Sequence, residues 1–96
     1  MKSEGPVAIS IRNKLDASFQ PQKLEVIDDS ARHAGHEGAG SGGESHFNVS
    51  VVSEAFAGRS RVERQRLINH ALAEELAGPV HALSIKALAP GEPGAD

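Results

Sequence analysis

The sequence predicts an α+β two-layer sandwich, with a three-stranded mixed sheet and both helices on one of its faces. Three observations support this fold class. Apolar residues recur with helical spacing in two segments, they alternate with polar residues in another, and Pro and Gly separate the segments. The predicted order is helix, strand, strand, short turn, helix, strand. Two helices cannot cover both faces of three strands and share a core, so they lie on one face.

The first helix is expected from Pro6 to Phe19. Pro6 suits the first turn of a helix, and Pro21 ends the segment. Apolar residues recur every four positions and form one stripe of an amphipathic helix. These residues are Val7, Ile11, Leu15 and Phe19.

Two strands and a long loop follow. Residues 24–28 form a short strand, and residues 30–45 contain five glycines without any period. Residues 46–53 alternate, with Phe47, Val49 and Val51 on one side of the strand. A loop of this length in a small domain is more often functional or mobile than merely connective.

The second helix and the last strand complete the domain. Ser60 and Glu63 form a capping-box pattern ahead of the helix, and Gly78-Pro79 ends it. Residues 80–88 form the last strand, parallel to the second strand, while the first two strands pair antiparallel. We expect one domain over residues 6–88. Residues 1–5 and 89–96 are expected to be flexible termini, the latter with nothing to bury.

Composition limits the possible functions. The chain has 96 residues, a formal charge of −3 and no cysteine, so neither a disulfide nor a site built only from its own thiolates is possible. No apolar run reaches the length of a membrane span, and we expect a cytoplasmic protein that is monomeric when isolated. Asp28 and Asp29 are adjacent on a strand and point to opposite sides, so they cannot share a proton. We predict no enzymatic activity.

Five histidines are the candidate metal ligands. His33 and His36 lie in the glycine-rich loop, and His81 follows the second helix. Imidazole is a good ligand for iron, zinc and copper. His46 and His70 are interpreted as surface residues. For His81 there is a structural alternative, in which a partly buried ring hydrogen-bonds to a backbone carbonyl or to its neighbours. A stand-alone zinc site needs three or four ligands, and two loop imidazoles with a distant third do not favour one.

A basic cluster is the second candidate site. Four arginines fall within eight residues, at the start of the second helix. These are Arg59, Arg61, Arg64 and Arg66. Cations at a helix N-terminus oppose the helix dipole, which favours a role for them in binding phosphate or carboxylate groups.

The chain resembles the BolA family in several segments that occur in family order. The resemblance covers about residues 6–88. The matching segments are 24–30 with His33, then 44–47, Gly58, Arg64 and 80–85. It implies a fold similar to class II K-homology (KH) domains. It also implies two family roles, namely partnership with a monothiol glutaredoxin around a shared [2Fe–2S] cluster, and DNA-binding transcriptional regulation in responses such as stress.

The resemblance assigns His81 and His33 as cluster ligands, with His36 as an alternative in the loop. The glutaredoxin and glutathione would supply the thiolates, and the isolated chain would hold no cofactor. Gln65 stands where the family usually has histidine. Arg61 replaces the second glycine of the KH Gly-x-x-Gly loop, so duplex DNA is a better candidate than single strands. The two roles can coexist, and the partner would then cover the same surface.

Overall fold

Three strands form one sheet in the computed structural model, which describes residues 5–29 and 45–95. The strands are β1 (Lys23–Asp28), β2 (His46–Val52) and β3 (Ala82–Leu88), with β2 in the centre. β1 pairs with β2 antiparallel, and β2 pairs with β3 parallel. The predicted α+β fold with a three-stranded mixed sheet is confirmed.

Three helices pack on one face of this sheet: α1 (Pro6–Phe19), α2 (Arg61–Ala71) and α3 (Ala73–Ala77). The alternation of β2 decides which face they cover, because its apolar side chains are buried while their neighbours are half-exposed. The core joins this side of the sheet to the inner sides of α1 and α2. Its residues include Ile11, Leu15, Val26, Phe47, Val49, Val51, Phe56, Ile68 and Leu72.

The ends of α1 follow the residues that flank it. Pro6 occupies the first turn, where its missing N–H costs no hydrogen bond. Gln20 adopts a left-handed conformation with φ of 46°, and its N–H donates to the Asp16 carbonyl at 3.0 Å. Pro21 then leads the chain into β1. Both helix boundaries agree with the sequence prediction.

The second predicted helix is divided at Leu72, whose ψ of 24° departs from helical geometry. Leu72 remains buried in the core. The turn after it brings the buried carboxylate of Glu75 against α1, where Ser10 Oγ donates to it and Lys14 Nζ lies 2.8 Å away. These contacts hold the segment after the break against α1.

The last strand begins at Ala82, two residues later than predicted. The Val80 N–H donates to the Glu75 carbonyl at 3.0 Å, so Val80 belongs to the turn that closes α3 rather than to the sheet. β1 begins one residue earlier than predicted, at Lys23.

A buried serine connects α1, β2 and the turn that precedes α2. Ser53 is 1% exposed. Its hydroxyl donates to the Phe19 carbonyl at 2.6 Å and accepts from the Ala55 N–H at 3.1 Å. The Phe19 and Phe56 rings pack with their centroids 5.1 Å apart. Ser53 therefore caps the 3₁₀ turn Glu54–Phe56 and fixes it to the end of α1.

The C-terminal segment 89–95, called the strap below, differs from the sequence prediction. Ala89 and Ala95 are buried, and the Glu92 carboxylate accepts from the Ala89 N–H at 2.9 Å. The expectation that residues 89–96 bury nothing was wrong. Turns stabilised by Glu92 allow a segment with two prolines and two glycines to pack.

Candidate functional site

Two of the five histidines, His46 and His81, lie at one end of the sheet. The Asp29 N–H donates to the His46 carbonyl at 2.7 Å, and the N–H groups of His81 and Ala82 donate to the Ser45 carbonyl at 2.7 and 3.1 Å. The end of β1 and the starts of β2 and β3 therefore meet there. We call Asp29, Ser45, His46 and His81 the histidine edge.

His81 is exposed at this edge. Within the part of the chain that the structure describes, its ring makes no hydrogen bond, and only its backbone N–H is engaged. The alternative of a partly buried ring bonded to a backbone carbonyl is therefore not observed. The imidazole is accessible to a partner.

His46 differs from His81 because its ring is half-buried and Nδ1 lies 2.9 Å from Ser45 Oγ. His70 is exposed on α2, as predicted. Within residues 5–29 and 45–95, no group of three or more His, Asp or Glu side chains is placed to hold a metal ion. A metal centre at this edge therefore requires ligands from elsewhere.

His33 and His36 lie outside the described residues, so their assignment stays a prediction. Covalent connection still limits their distance from the edge. His33 is four residues beyond Asp29, which keeps its Cα within about 14 Å of the Asp29 Cα for any backbone conformation. The corresponding bound for His36, seven residues beyond Asp29, is about 25 Å. Both attachment points of the loop, Asp29 and Ser45, belong to the histidine edge. The greatest distance that the chain allows from Asp29 is therefore smaller for His33 than for His36.

The basic cluster lies at the other end of the sheet, after β2. We call Gly58, Arg59, Ser60 and Arg61 the basic turn. Gly58 has φ of 75°, a conformation that favours glycine. The Ser60 hydroxyl accepts from the Glu63 N–H at 3.1 Å, and the Glu63 carboxylate accepts from the Ser60 N–H at 2.8 Å. This confirms the predicted capping box.

Three of the four predicted arginines are exposed, and Arg64 is not. Arg59 Nε donates to the Ala55 carbonyl at 3.0 Å. The side chains of Arg61 and Arg66 are exposed on α2. Within the described residues, Arg59, Arg61 and Arg66 form no ion pair. They are therefore available to bind an anion.

Arg64 must be removed from the predicted nucleic-acid-binding set, because its guanidinium is used inside the domain. Its side chain is 12% exposed. Nη1 and Nη2 contact the two carboxylate oxygens of Glu92 at 2.7 and 2.8 Å. Nη1 also donates to the Ala87 carbonyl and Nε to the Arg59 carbonyl, both at 3.0 Å. Arg64 thus joins the basic turn, β3 and the strap.

The paired charges shift both pKa values. The hydrogen bond with Glu92 raises the pKa of Arg64. The hydrogen bonds from Arg64 and from the Ala89 N–H lower the pKa of Glu92 to about 2. At Glu75, burial raises the carboxyl pKa, but hydrogen bonds from Lys14 and Ser10 outweigh it and leave the pKa below its ordinary value. Both carboxylates are ionised at neutral pH.

The tertiary contacts of Glu92, Glu75 and Ser53 were not predicted from the sequence. Glu92 follows Arg64 by 28 residues, in a segment rich in Pro and Gly, so no local pattern relates the two. From the sequence alone, Glu75 cannot be distinguished from a glutamate on the exposed side of a helix. Ser53 offered a usable signal, because a serine between a strand and a short helical turn is a common cap.

These features define a small α+β domain with an exposed imidazole at one sheet end and exposed arginines at the other. The family model for BolA-like protein matches residues 15–92. The chain therefore belongs to the BolA-like family. It is 50% identical over 90 residues to BolA-like protein 1 of Pongo abelii, which covers 94% of this chain and 63% of the relative. The chain thus spans less than two thirds of that relative.

One further relative by sequence and one solved structure are also similar to this chain. The chain is 51% identical over 75 residues to the DNA-binding transcriptional regulator BolA of Vibrio cholerae, which covers 78% of this chain and 67% of the relative. The solved structure of the BolA domain of SufE1 from Arabidopsis thaliana superposes with a TM-score of 0.81 at 46% identity, covering 92% of this chain and 96% of that one. None of these names describes an enzyme. Within the described residues, no helix is long and apolar enough to cross a membrane.

Proposed function

We propose that this protein is a non-catalytic adaptor that binds a monothiol glutaredoxin and shares the ligation of a [2Fe–2S] cluster with it. The observation that carries the proposal is the exposed His81 imidazole at the histidine edge, beside both attachment points of the loop that contains His33 and His36. Neutral imidazole is an accepted ligand of such clusters, as in Rieske centres. The lack of a metal-holding group within the described residues is consistent with a shared site.

The division of ligands follows from the side chains available. This chain has no thiol, so the glutaredoxin cysteine and glutathione would supply the two sulfur ligands. His81 would supply one nitrogen. His33 is our first choice for the other, because fewer residues connect it to Asp29 at the edge than connect His36. With fewer thiolates around the iron, the cluster should have a higher reduction potential than one held by glutaredoxin alone.

Spectroscopy of the mixed proteins tests this proposal. We expect that mixing the protein with cluster-loaded glutaredoxin and glutathione changes the visible absorption and circular dichroism. His81→Ala should abolish the change, and His70→Ala, an exposed histidine on α2, is the matched control. His33→Ala should loosen the cluster more than His36→Ala does. An unchanged spectrum with the wild-type protein, or equal spectra for wild type and His81→Ala, contradicts the proposal.

A second candidate function is binding of duplex DNA through the basic turn and Arg66. It is favoured by the exposure of Arg59, Arg61 and Arg66. The Vibrio cholerae relative is named as a DNA-binding regulator. Phosphate contacts release counterions, so the affinity should fall steeply with salt.

A pair of double variants with equal charge tests this function. Arg59→Ala/Arg61→Ala and Lys23→Ala/Lys86→Ala each remove two positive charges, but only the first pair lies at the basic turn. In mobility-shift titrations across salt concentrations, we expect the arginine variant to flatten the slope of log affinity against log salt by about 2. The lysine variant removes the same charge from the open face of the sheet and should flatten the slope by less. Equal effects of the two variants would indicate net charge alone.

A further inference from the structure

The open face of the sheet carries a cavity that neither candidate function uses. Its volume is about 240 Å³, and its lining includes Lys23, Glu25, Ser50, Lys86 and Gly94. The first four residues lie on the three strands, and Gly94 belongs to the strap. The cavity is smaller than typical sites for drug-sized ligands, so it suits a small molecule or ion.

The lining of this cavity is about half apolar, with Val52 and Leu88 beside four polar or charged residues. Glu25, Ser50 and Lys86 are successive partners across the sheet, with the hydroxyl between the opposite charges, and Lys23 occupies the neighbouring position on β1. Two strand spacings, about 10 Å, separate Glu25 from Lys86 at the backbone. Within the described residues, none of these four side chains forms a hydrogen bond or ion pair. The formal charge of the lining is positive, with two ammonium groups and one carboxylate.

The strap closes one side of the cavity at Gly94. Gly94 has φ of 91°, and a Cβ there would lie 3.5 Å from Leu88 Cδ1 and 3.6 Å from Lys86 Nζ. The strap is held in this place by the bidentate contact between Glu92 and Arg64 on the helical side of the domain. The strap, which the largely buried Arg64 side chain holds in place, therefore lies beside the Lys86 ammonium.

We propose that this cavity binds a small oxyanion, a carboxylate or a phosphate, between Lys23 and Lys86, with the Ser50 hydroxyl as a further donor. Ammonium groups and a hydroxyl supply the charge-assisted hydrogen bonds that such anions accept. Glu25 opposes a second negative charge on the β1 side, which favours ligands whose charge is concentrated at one end.

Titrations followed by amide NMR test the proposal, with inorganic phosphate and acetate as separate probes and sodium chloride at equal ionic strength as the blank. We expect saturable shifts at Ser50, Lys86 and Gly94 with at least one oxyanion and not with chloride. Lys86→Ala should weaken the binding about tenfold, as expected for loss of one charge-assisted hydrogen bond. Arg66→Ala, which removes an exposed charge elsewhere, should leave it unchanged. Non-saturating shifts with both probes, or equal losses in the two variants, would overturn the proposal.

The Glu92→Gln variant distinguishes an effect of the strap on anion binding from an effect of long-range electrostatics. This substitution removes a negative charge, so long-range attraction alone predicts tighter anion binding. If the strap confines Lys86, loosening its attachment to Arg64 should weaken the binding instead. Weaker binding by Glu92→Gln, with a dispersed amide spectrum, supports a cavity closed by the strap, whereas tighter or unchanged binding refutes the part assigned to the strap.

Discussion

Replacing Ser53 by alanine should destabilise the domain far more than the loss of one exposed hydroxyl would. Ser53 is 1% exposed. Its hydroxyl donates to the Phe19 carbonyl at 2.6 Å and accepts from the Ala55 N–H at 3.1 Å. Ser53→Ala removes both hydrogen bonds and leaves the Phe19 carbonyl facing an apolar methyl group. The end of α1 and the turn before α2 would lose their common attachment.

The expected loss follows from these contacts. A typical intramolecular hydrogen bond contributes about 1 kcal/mol, and a buried group left without a partner costs about 1–3 kcal/mol. Loss of a capping serine costs about 0.5–2 kcal/mol by itself. Since these terms overlap, we expect the free energy of unfolding to fall by about 2–3 kcal/mol. A domain of this length has roughly 5–14 kcal/mol in total.

Urea denaturation followed by far-ultraviolet circular dichroism measures this loss. With a slope of about 1–3 kcal/mol per molar urea, the midpoint should fall by about 0.7–3 M. Ser84→Ala, at an exposed serine on β3, is the control and should stay within about 0.5 kcal/mol of wild type. A loss below about 0.5 kcal/mol for Ser53→Ala would show that water or repacking replaces the hydroxyl, and the reasoning would fail.

Three further outcomes are expected. Because the pKa of Glu92 is lowered to about 2 from its ordinary 4.5, its contribution to stability is complete above pH 4.5 and is lost as the pH falls toward 2. Acid titrations of wild type and Glu92→Gln should therefore diverge above that range and converge below it. Phe56→Ala, which empties a fully buried site beside Phe19, should cost about 3–5 kcal/mol in urea denaturation. His81→Ala should change the free energy of unfolding by less than about 0.5 kcal/mol, since the side chain is exposed, and a larger loss would indicate a structural role.

The fold could be predicted because local patterns and burial agree along most of the chain. Val49 and Val51 alternate with polar residues on β2, and both are buried against the helices. The Ser60–Glu63 capping box marks the start of α2. The order of the elements then predicted the antiparallel and parallel strand pairings, because the rules for connecting strands allow few arrangements.

The contacts that could not be predicted join residues distant in sequence. Arg64 looked like a member of a basic cluster, and only the folded chain brings Glu92 to it. The strap contains no large apolar residue, so hydropathy gave no reason to expect Ala95 to be buried. The segment after Leu72 is held by contacts between Glu75 and α1. Charge partners and the ends of short helices depend on tertiary contacts, and helix propensities carry no information about those contacts.

The positions of the two candidate surfaces indicate that a partner at one would not displace a ligand at the other. His46 begins β2 at the histidine edge, and the basic turn follows the other end of that strand, about 20 Å away at the usual rise per residue. The expectation that the partner covers the same surface stays a prediction, which simultaneous binding of both ligands would contradict. If both functions hold, we expect glutaredoxin to bind the protein–DNA complex and retard it further in a mobility-shift assay. His81→Ala should reduce that further retardation without weakening DNA binding, and Arg59→Ala/Arg61→Ala should do the reverse. Release of DNA on adding glutaredoxin would show that the two ligands compete, and would place both of them on one surface.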